Sequence, residues 1–399
     1  MTATRLVATP SAALLDRRIV VCLGCGGVGK TTISAALGLL GARLGRRVLV
    51  LTIDPAKRLA DALGLEGMGH APQRIAPALL ARLGVPAEGE LSAAMLDMKT
   101  TFDELVARFA RSEAERERIL RNPIYQHVSD ALAGSAEYSA MEKVYQLSES
   151  KDLDLIVLDT PPAQHALDFL EAPERLLGFL ESPVVRLMLH PAFAAGRTGF
   201  RLFQRGAARV LKLVERATGL GFLEDISDFL LAFEGMSEGF RERARSVERT
   251  LLGPKTAFVL AAGPGAEASA QGGALLDRLE TLRVPLAGMV VNRMHLWPGN
   301  GPPPSTRDPE ALAALAAALA ATHGPAFPAH EAAEAALELA HSYASLVERD
   351  AKAVASLARR VEERGGFVGR IAEFDRDVHD LDGLAAIADR LAELGREPR

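Results

Sequence analysis

Five short apolar runs punctuate the chain: Ile19 to Leu23, Val48 to Ile53, Leu153 to Leu158, Thr256 to Ala261 and Leu286 to Val291. Each is bounded by Gly, Pro or Asp and is followed by small or polar residues where a loop should turn toward a helix. Continuous rather than alternating apolar runs, separated by helical periodicity, mark parallel strands buried on both faces. The pattern predicts an α/β fold, a doubly wound, mostly parallel sheet.

The spacing of these runs adds to that picture, because a plain βαβ unit needs only about 30 residues. From Asp54 to Leu153, and from Asp159 to Thr256, about a hundred residues intervene, and both gaps show helical periodicity rather than linker composition. The chain therefore reads as one domain, residues 1–399, carrying two helical insertions at about 65–150 and 166–250. Each insertion starts past the C-terminal end of a strand, the edge of an open α/β sheet where ligands bind. A Pro- and Gly-rich linker at 298–306 leads to a helical C-terminal part, ending in an amphipathic, acidic helix from Leu381 to Leu394.

Directly after the first strand comes Gly24-Cys25-Gly26-Gly27-Val28-Gly29-Lys30-Thr31, which fits the Gly-x-x-x-x-Gly-Lys-Thr phosphate loop of P-loop nucleoside triphosphatases (NTPases), with a helix beginning near Thr31. In such a loop, glycines let backbone N–H groups curve around phosphates, Lys30 places a cation on the β and γ oxygens, and the Thr31 hydroxyl can bind Mg²⁺. The candidate nucleotide-binding residues here are Gly26, Gly27, Val28, Gly29, Lys30, Thr31 and Thr32. The same stretch also satisfies the dinucleotide pattern through Gly24, Gly26 and Gly29, with Asp54 ending the second strand. Lys30 and Thr31, which a dinucleotide site does not need, decide for a nucleoside triphosphate.

A second signal supports that choice. Leu155-Ile156-Val157-Leu158-Asp159 is an apolar strand ending in a carboxylate, the Walker B arrangement, with Asp159 placed to hold Mg²⁺ through water. Asp54-Pro55-Ala56 reads first as a helix cap with Pro at the first helical position and Gly64 at the far end. A capping carboxylate can also present one oxygen to a water attacking the γ-phosphorus, so Asp54 is a candidate catalytic residue beside Lys30.

Composition narrows the function classes. Lys plus Arg number 46 against 51 Asp plus Glu, a formal net charge of −5, too balanced for a nucleic-acid partner bound by bulk electrostatics. Hydrophobic residues make up 48% and aromatics 5%, so the core is aliphatic. Two cysteines, Cys22 and Cys25, exclude a disulfide framework and a four-thiolate zinc site within one chain. No signal peptide and no run of about 18 uninterrupted apolar residues is present, which predicts a cytoplasmic protein.

Taken in order, Gly-Cys-Gly-Gly-Val-Gly-Lys-Thr-Thr, Thr-Ile-Asp-Pro-Ala, Leu-Asp-Thr-Pro-Pro-Ala-Gln-His and Val290-Val291-Asn292-Arg293 resemble the ArsA-like family. That family holds the arsenical pump-driving ATPases and the ATPases that target tail-anchored membrane proteins, within the deviant Walker A class. The helical region from Leu96 to Tyr145, with Ala133-Gly134-Ser135-Ala136-Glu137-Tyr138, extends the likeness. The resemblance implies an ATPase using ATP and Mg²⁺, acting as a dimer that opens and closes with nucleotide state. It places Asp54 in the first switch and Asp159 in the second, and assigns Asn292 and Arg293 to the adenine ring. It further implies a hydrophobic protein client.

The chain departs from the family's pattern at two places. The signature lysine at the second position of the loop is Cys25 here, and a thiol cannot replace that cation. The resemblance is thus to a bacterial branch lacking that lysine. Either another basic residue substitutes, a lysine-bearing paralogue completes a heterodimer in place of a homodimer, or the chain is a nucleotide-gated binding subunit with little hydrolysis. The Gly-His-Thr of the second switch is Gln164-His165-Ala166 here. The cysteines that hold zinc or arsenite in known members are absent, which argues against both.

The second insertion carries two further features. Apolar residues are dense around Leu177, Val184, Leu187, Met188, Phe193 and Phe200, readable as helix-packing core or as a client groove. Arg197, Arg201, Arg205, Arg209, Lys212 and Arg216 recur at three- and four-residue steps, one face of a helix. A solvated face is the ordinary reading of such a stripe, and the alternatives are an anionic membrane surface, giving peripheral association, an acidic partner, or the facing subunit's phosphates.

Overall fold

The computed structural model describes residues 9–53, 58–65, 68–122, 125, 135–161, 178, 237–299, 301–305, 308–324, 326–378 and 380–393. Among them eight strands form one sheet: β1 (Ile19–Gly24), β2 (Arg47–Thr52), β3 (Gln73–Arg74), β4 (Glu90–Met95), β5 (Leu155–Asp159), β6 (Thr256–Ala262), β7 (Leu286–Met294) and β8 (Phe367–Ala372). Their spatial order is β3-β4-β2-β5-β1-β6-β7-β8. Every neighbouring pair is parallel except β3 with β4. The five apolar runs are the five strands from β2 through β7 that surround and include β1, so the α/β expectation holds.

The reason for continuous apolar runs is visible in β1. Ile19, Val21 and Leu23 join a core with Leu105, Val144, Leu276 and Leu357 on one face of the sheet. Val20 and Cys22 join a second core with Leu37, Leu59, Leu80 and Leu384 on the other. Alternate side chains point to opposite faces, and both faces are covered, so no position is left for a polar residue.

The first face carries α5 (Met98–Phe109), α7 (Ser135–Ser148), α8 (Ser237–Leu251), α9 (Ala266–Thr281) and α11 (Ala329–Glu363). The second carries α2 (Lys30–Arg43), α3 (Arg58–Leu63), α4 (Pro77–Arg82) and α12 (Leu381–Glu393). Three further helices are α1 (Pro10–Leu15), α6 (Glu113–Arg121) and α10 (Pro309–His323). Helix α2 lies hard against the sheet because its inner face carries glycines. A Cβ at Gly38 would come within 2.4 Å of Val50, and one at Gly41 within 2.7 Å of Leu155. Helix α3 ends as expected at Gly64, with Leu65 N–H bonded to Ala60 C=O at 2.9 Å and Gly64 N–H to Asp61 C=O at 3.2 Å, a Schellman closure. The terminal amphipathic helix is α12, which buries Leu384, Ile387 and Leu391.

Two stretches expected to be helical contain strands. Within the interval from Asp54 to Leu153, β4 pairs with β2 from Arg47↔Glu90 to Thr52↔Met95, and β3 pairs with β4. The sequence of β4, Glu-Leu-Ser-Ala-Ala-Met, is rich in helix formers, and its conformation is set by pairing beside β2, where its four central residues are buried, rather than by propensity. The C-terminal part likewise contains β8, which follows Gly365-Gly366 and pairs with β7. Most of the second insertion, including Gln164-His165-Ala166 and Arg197, Arg201, Arg205 and Arg209, lies outside the described residues, as does Asp54. The described part of the 298–306 linker has no helix or strand.

The described ends of the two insertions are tied to each other. Glu142 of α7 is fully buried, and Arg243 of α8 grips it with Nε at 2.9 Å from both carboxylate oxygens and Nη2 at 2.7 Å. The guanidinium also sits 4.0 Å over the Tyr145 ring. Truncating Arg243 would strand a buried carboxylate, a change that costs on the order of 3–5 kcal/mol. Among the described residues no helix is long and apolar enough to cross a membrane.

Candidate functional site

The loop between β1 and α2 is where the sequence concentrates its chemistry. Gly27 and Gly29 have φ of 78° and 86°, the left-handed region that an L side chain adopts only with strain. Gly29 is the N-cap of α2, and its side-chain-free position leaves that end without a side-chain cap. A Cβ at Gly29 would also lie 2.3 Å from Asn292 Nδ2. Asn292, buried on β7, donates Nδ2–H to the Val28 carbonyl at 3.1 Å, tying the loop to a strand two places along the sheet.

Beneath the loop, the sheet register sets up a polar centre. Asp159, the last residue of β5, is paired with Cys22 on one side and Thr52 on the other. Its Oδ2 accepts hydrogen bonds from Thr31 Oγ1 at 2.8 Å and Thr52 Oγ1 at 3.0 Å, and its Oδ1 from Ser34 Oγ at 3.4 Å. The next residue, Thr160, donates to the Cys22 carbonyl at 2.7 Å. Lys30 is buried and its Nζ donates to the Cys25 carbonyl at 2.8 Å. Burial pushes the Cys22 thiol up to about 12 and the Cys25 thiol upward as well, the Lys30 charge only partly opposing this for Cys25. Both thiols are held in the neutral form, unsuited to redox attack.

Above these residues opens a cleft of about 500 Å³, lined by Gly26, Gly27, Gly29, Lys30, Thr31, Thr32 and Thr160 on the loop side and by Asn292 and Arg293 from β7. This volume is in the range of small-molecule sites. Of the residues singled out in the sequence, the cleft gathers all of these. Val28 is buried under the loop and Asp159 under Thr31.

The cleft has walls that the sequence reading missed. Arg58, Asp61 and Ala62 come from α3, and Glu373, Phe374, Arg376, Asp377 and Val378 from the loop after β8. The basic pair Lys57-Arg58 directly after Asp54-Pro55-Ala56 was a usable signal for Arg58. Residues 373–378 had only an indirect one, the aromatic and β-branched run Phe367-Val368-Gly369-Arg370-Ile371 that forms β8 before them.

The β7 side has its own polar arrangement. The β7–β8 register breaks between Val291 and Met294, and Arg293 takes φ of 60°, unusual for a residue with a Cβ. Its Nη2 lies 3.5 Å from Asp377. Just beyond, His295 bonds through Nδ1 to Asp350 Oδ2 at 2.6 Å, its backbone N–H donates to the same oxygen at 3.1 Å, and its Nε2 lies 3.5 Å from Glu373. Burial pushes the Asp350 carboxyl up, and the bonds from His295 more than reverse this, leaving it below the usual carboxylate range.

The residues fit a nucleotide with a divalent cation. A hydroxyl and a carboxylate stand one hydrogen bond apart at Thr31 and Asp159, an oxygen-donor pair of the kind Mg²⁺ takes.

Comparisons with known proteins agree with this architecture. The family described as anion-transporting ATPase matches residues 17–260, which include the loop, Asp159 and the first five residues of β6. A protein of Malassezia globosa named ATPase GET3 is 30% identical over 159 residues, 39% of this chain and 43% of that protein. One of Schizosaccharomyces japonicus with the same name is 31% identical over 38% of this chain and 42% of the other. A protein of Halobacterium salinarum, provisionally named an arsenical pump-driving ATPase, is 29% identical over 42% of this chain and 25% of that protein. The chain thus spans less than half the length of each of these relatives. The family match itself covers more than half of the chain and encloses the loop and the carboxylate around which the cleft is built, and on that ground the chain belongs to the anion-transporting ATPase, or ArsA-like, family.

Proposed function

We propose that this chain is a Mg²⁺-dependent ATPase that couples ATP binding and hydrolysis to movement of its helical insertions around a hydrophobic protein client. The observation that carries the reading is the Thr31–Asp159 hydrogen bond of 2.8 Å beneath a glycine loop that buries Lys30. Lys30 would leave the Cys25 carbonyl for the phosphate oxygens, a charge-assisted contact worth more than the neutral one it replaces. Thr31 and Asp159 would hold Mg²⁺, whose chemistry there is to neutralise charge on the β and γ oxygens. The first-turn N–H groups of α2 and the backbone of Gly26, Gly27, Val28 and Gly29 would cradle the phosphates, with Thr32 beside them. Asn292 and Arg293 would meet the adenine ring, and Asp54 would orient the attacking water. The working unit in this reading is a single domain with its insertions, dimerised through the nucleotide face in the cytoplasm.

A second reading is favoured by one observation. The residue at the loop's second position, Cys25, is buried and held neutral, so it adds no charge to the cleft. A nucleotide-gated binding subunit, working with a lysine-bearing paralogue, would look the same. Fluorescent-ATP titration together with steady-state phosphate release separates the two. Tight binding with turnover supports the ATPase; tight binding with negligible release, restored by a paralogue, supports the subunit; and a Lys30→Ala chain that binds ATP normally removes both.

A further inference from the structure

We propose that Arg58 is the catalytic cation that meets the terminal phosphate of a nucleotide in this cleft; the inference rests on the nucleotide reading and deepens it.

Topology puts Arg58 on the correct side. It is the first residue of α3, six residues past Thr52, the C-terminal residue of β2. Because β2 lies beside β5, with Thr52 opposite Asp159, the chain leaving β2 emerges at the edge where Thr31 and Asp159 stand. The β7 and β8 walls lie on the far side of β1, across the loop. Arg58 lines the same cleft as Gly27, Lys30 and Thr31 from this near side.

Its bonding state is equally informative. Among the described residues Arg58 makes no ion pair and no hydrogen bond, although Asp61 stands one turn further along α3 and lines the cleft too. Of the other arginines that line the cleft, Arg293 pairs with Asp377 at 3.5 Å, and Arg376, which like Arg58 has no ion pair among the described residues, comes from the loop after β8, on the far side of β1 from Asp159. An exposed guanidinium with five donors facing a cleft built for phosphate is held in reserve for an anion.

The reaction needs such a charge. When water attacks the γ-phosphorus, the new P–O bond forms as the bond to the β-phosphate oxygen breaks. The water's protons end on phosphate and solvent, and ADP and inorganic phosphate leave. Charge spreads over three equatorial oxygens along the way, and a guanidinium can bridge two of them. Within the loop only Lys30 is cationic. Arg58 stays protonated throughout and supplies hydrogen bonds and charge, with no proton transferred.

The test compares the full-length chain with Arg58→Ala and Arg58→Lys. The readouts are affinity for a non-hydrolysable ATP analogue against ADP, single-turnover phosphate release, and the thermal midpoint as a folding check. In Arg58→Ala, ADP affinity should stay within about threefold. The preference for the triphosphate should fall about tenfold or more, the loss of one charged hydrogen bond, and phosphate release about a hundredfold. Arg58→Lys should recover only part, because an ammonium cannot bridge two oxygens. An Arg58→Ala chain that keeps both the triphosphate preference and the rate within twofold overturns the proposal. Equal loss of ADP and ATP binding also overturns it, since that marks a structural role for α3. If the unaltered chain binds neither nucleotide, the ATPase reading itself falls, an outcome distinct from either.

Discussion

On the β5 side of the phosphate loop, Asp159 is 1% exposed and accepts hydrogen bonds from three hydroxyls. On the β7 side, Arg293 is 56% exposed in a left-handed conformation and reaches Asp377 only at 3.5 Å. The first half is packed and bonded before any ligand arrives, as a site must be if it is to place charge without reorganising. The second half is built from a register break and a loop. The family match, residues 17–260, covers the first half and stops short of the second.

The largest effects should come from breaking the rigid half. Lys30→Ala should lower single-turnover phosphate release by about 10²- to 10³-fold, the usual loss for one preorganised donor, measured with saturating ATP. Asp159→Asn keeps the shape but halves the carboxylate's acceptors, so Mg²⁺ affinity should fall by about 10- to 100-fold in a metal titration of the nucleotide complex. Full Mg²⁺ affinity in that variant would remove Asp159 from the site.

Gly29→Ala tests the joint between the halves. The added Cβ must tolerate φ of 86° and a 2.3 Å approach to Asn292, so the chain should lose at least the ~1–2 kcal/mol of a left-handed L residue in denaturant unfolding. Nucleotide affinity should weaken with it.

Smaller changes are expected on the β7 side. Asp350→Asn should cost about 1–3 kcal/mol at neutral pH, because His295 would lose a charged acceptor. The sign with pH follows from the depressed carboxyl of Asp350. A lowered folded value gives stability that is present above the unfolded value, about 3.9, and is lost as pH falls through the folded value. The gap between Asp350→Asn and the unaltered chain should therefore narrow below about pH 4 in acid unfolding. Arg293→Gly should change stability least, by between zero and about 1 kcal/mol in its favour, since relief of the left-handed strain is partly offset by glycine's entropy.

The same division explains what the sequence could and could not show. The loop, its lysine and Asp159 are local in sequence, and each sits at the end of a strand whose apolar run is unmistakable. Glu90–Met95 is a strand because β2 offers it a buried edge, a tertiary cause with little local trace in Leu-Ser-Ala-Ala, whereas Phe367–Ala372, with Phe, Val and Ile after Gly365-Gly366, carries a short strand signal set directly behind a long helical pattern. The wall from Glu373 to Val378 lines the cleft only because β8 carries it there, a placement that depends on the sheet order and not on its own residues. The closure of α3 at Gly64 was readable because a Schellman turn is a matter of a few consecutive residues.

The hydrogen bond from Lys30 to position 25 uses the main-chain oxygen there, not the thiol. Any residue would offer that oxygen, so the lysine's resting anchor is indifferent to what position 25 carries. The side chain at that position answers instead to its buried neighbours in the α2 core. One residue thus carries two separately editable instructions, one written in backbone and one in side chain, and a change to the second leaves the first in force.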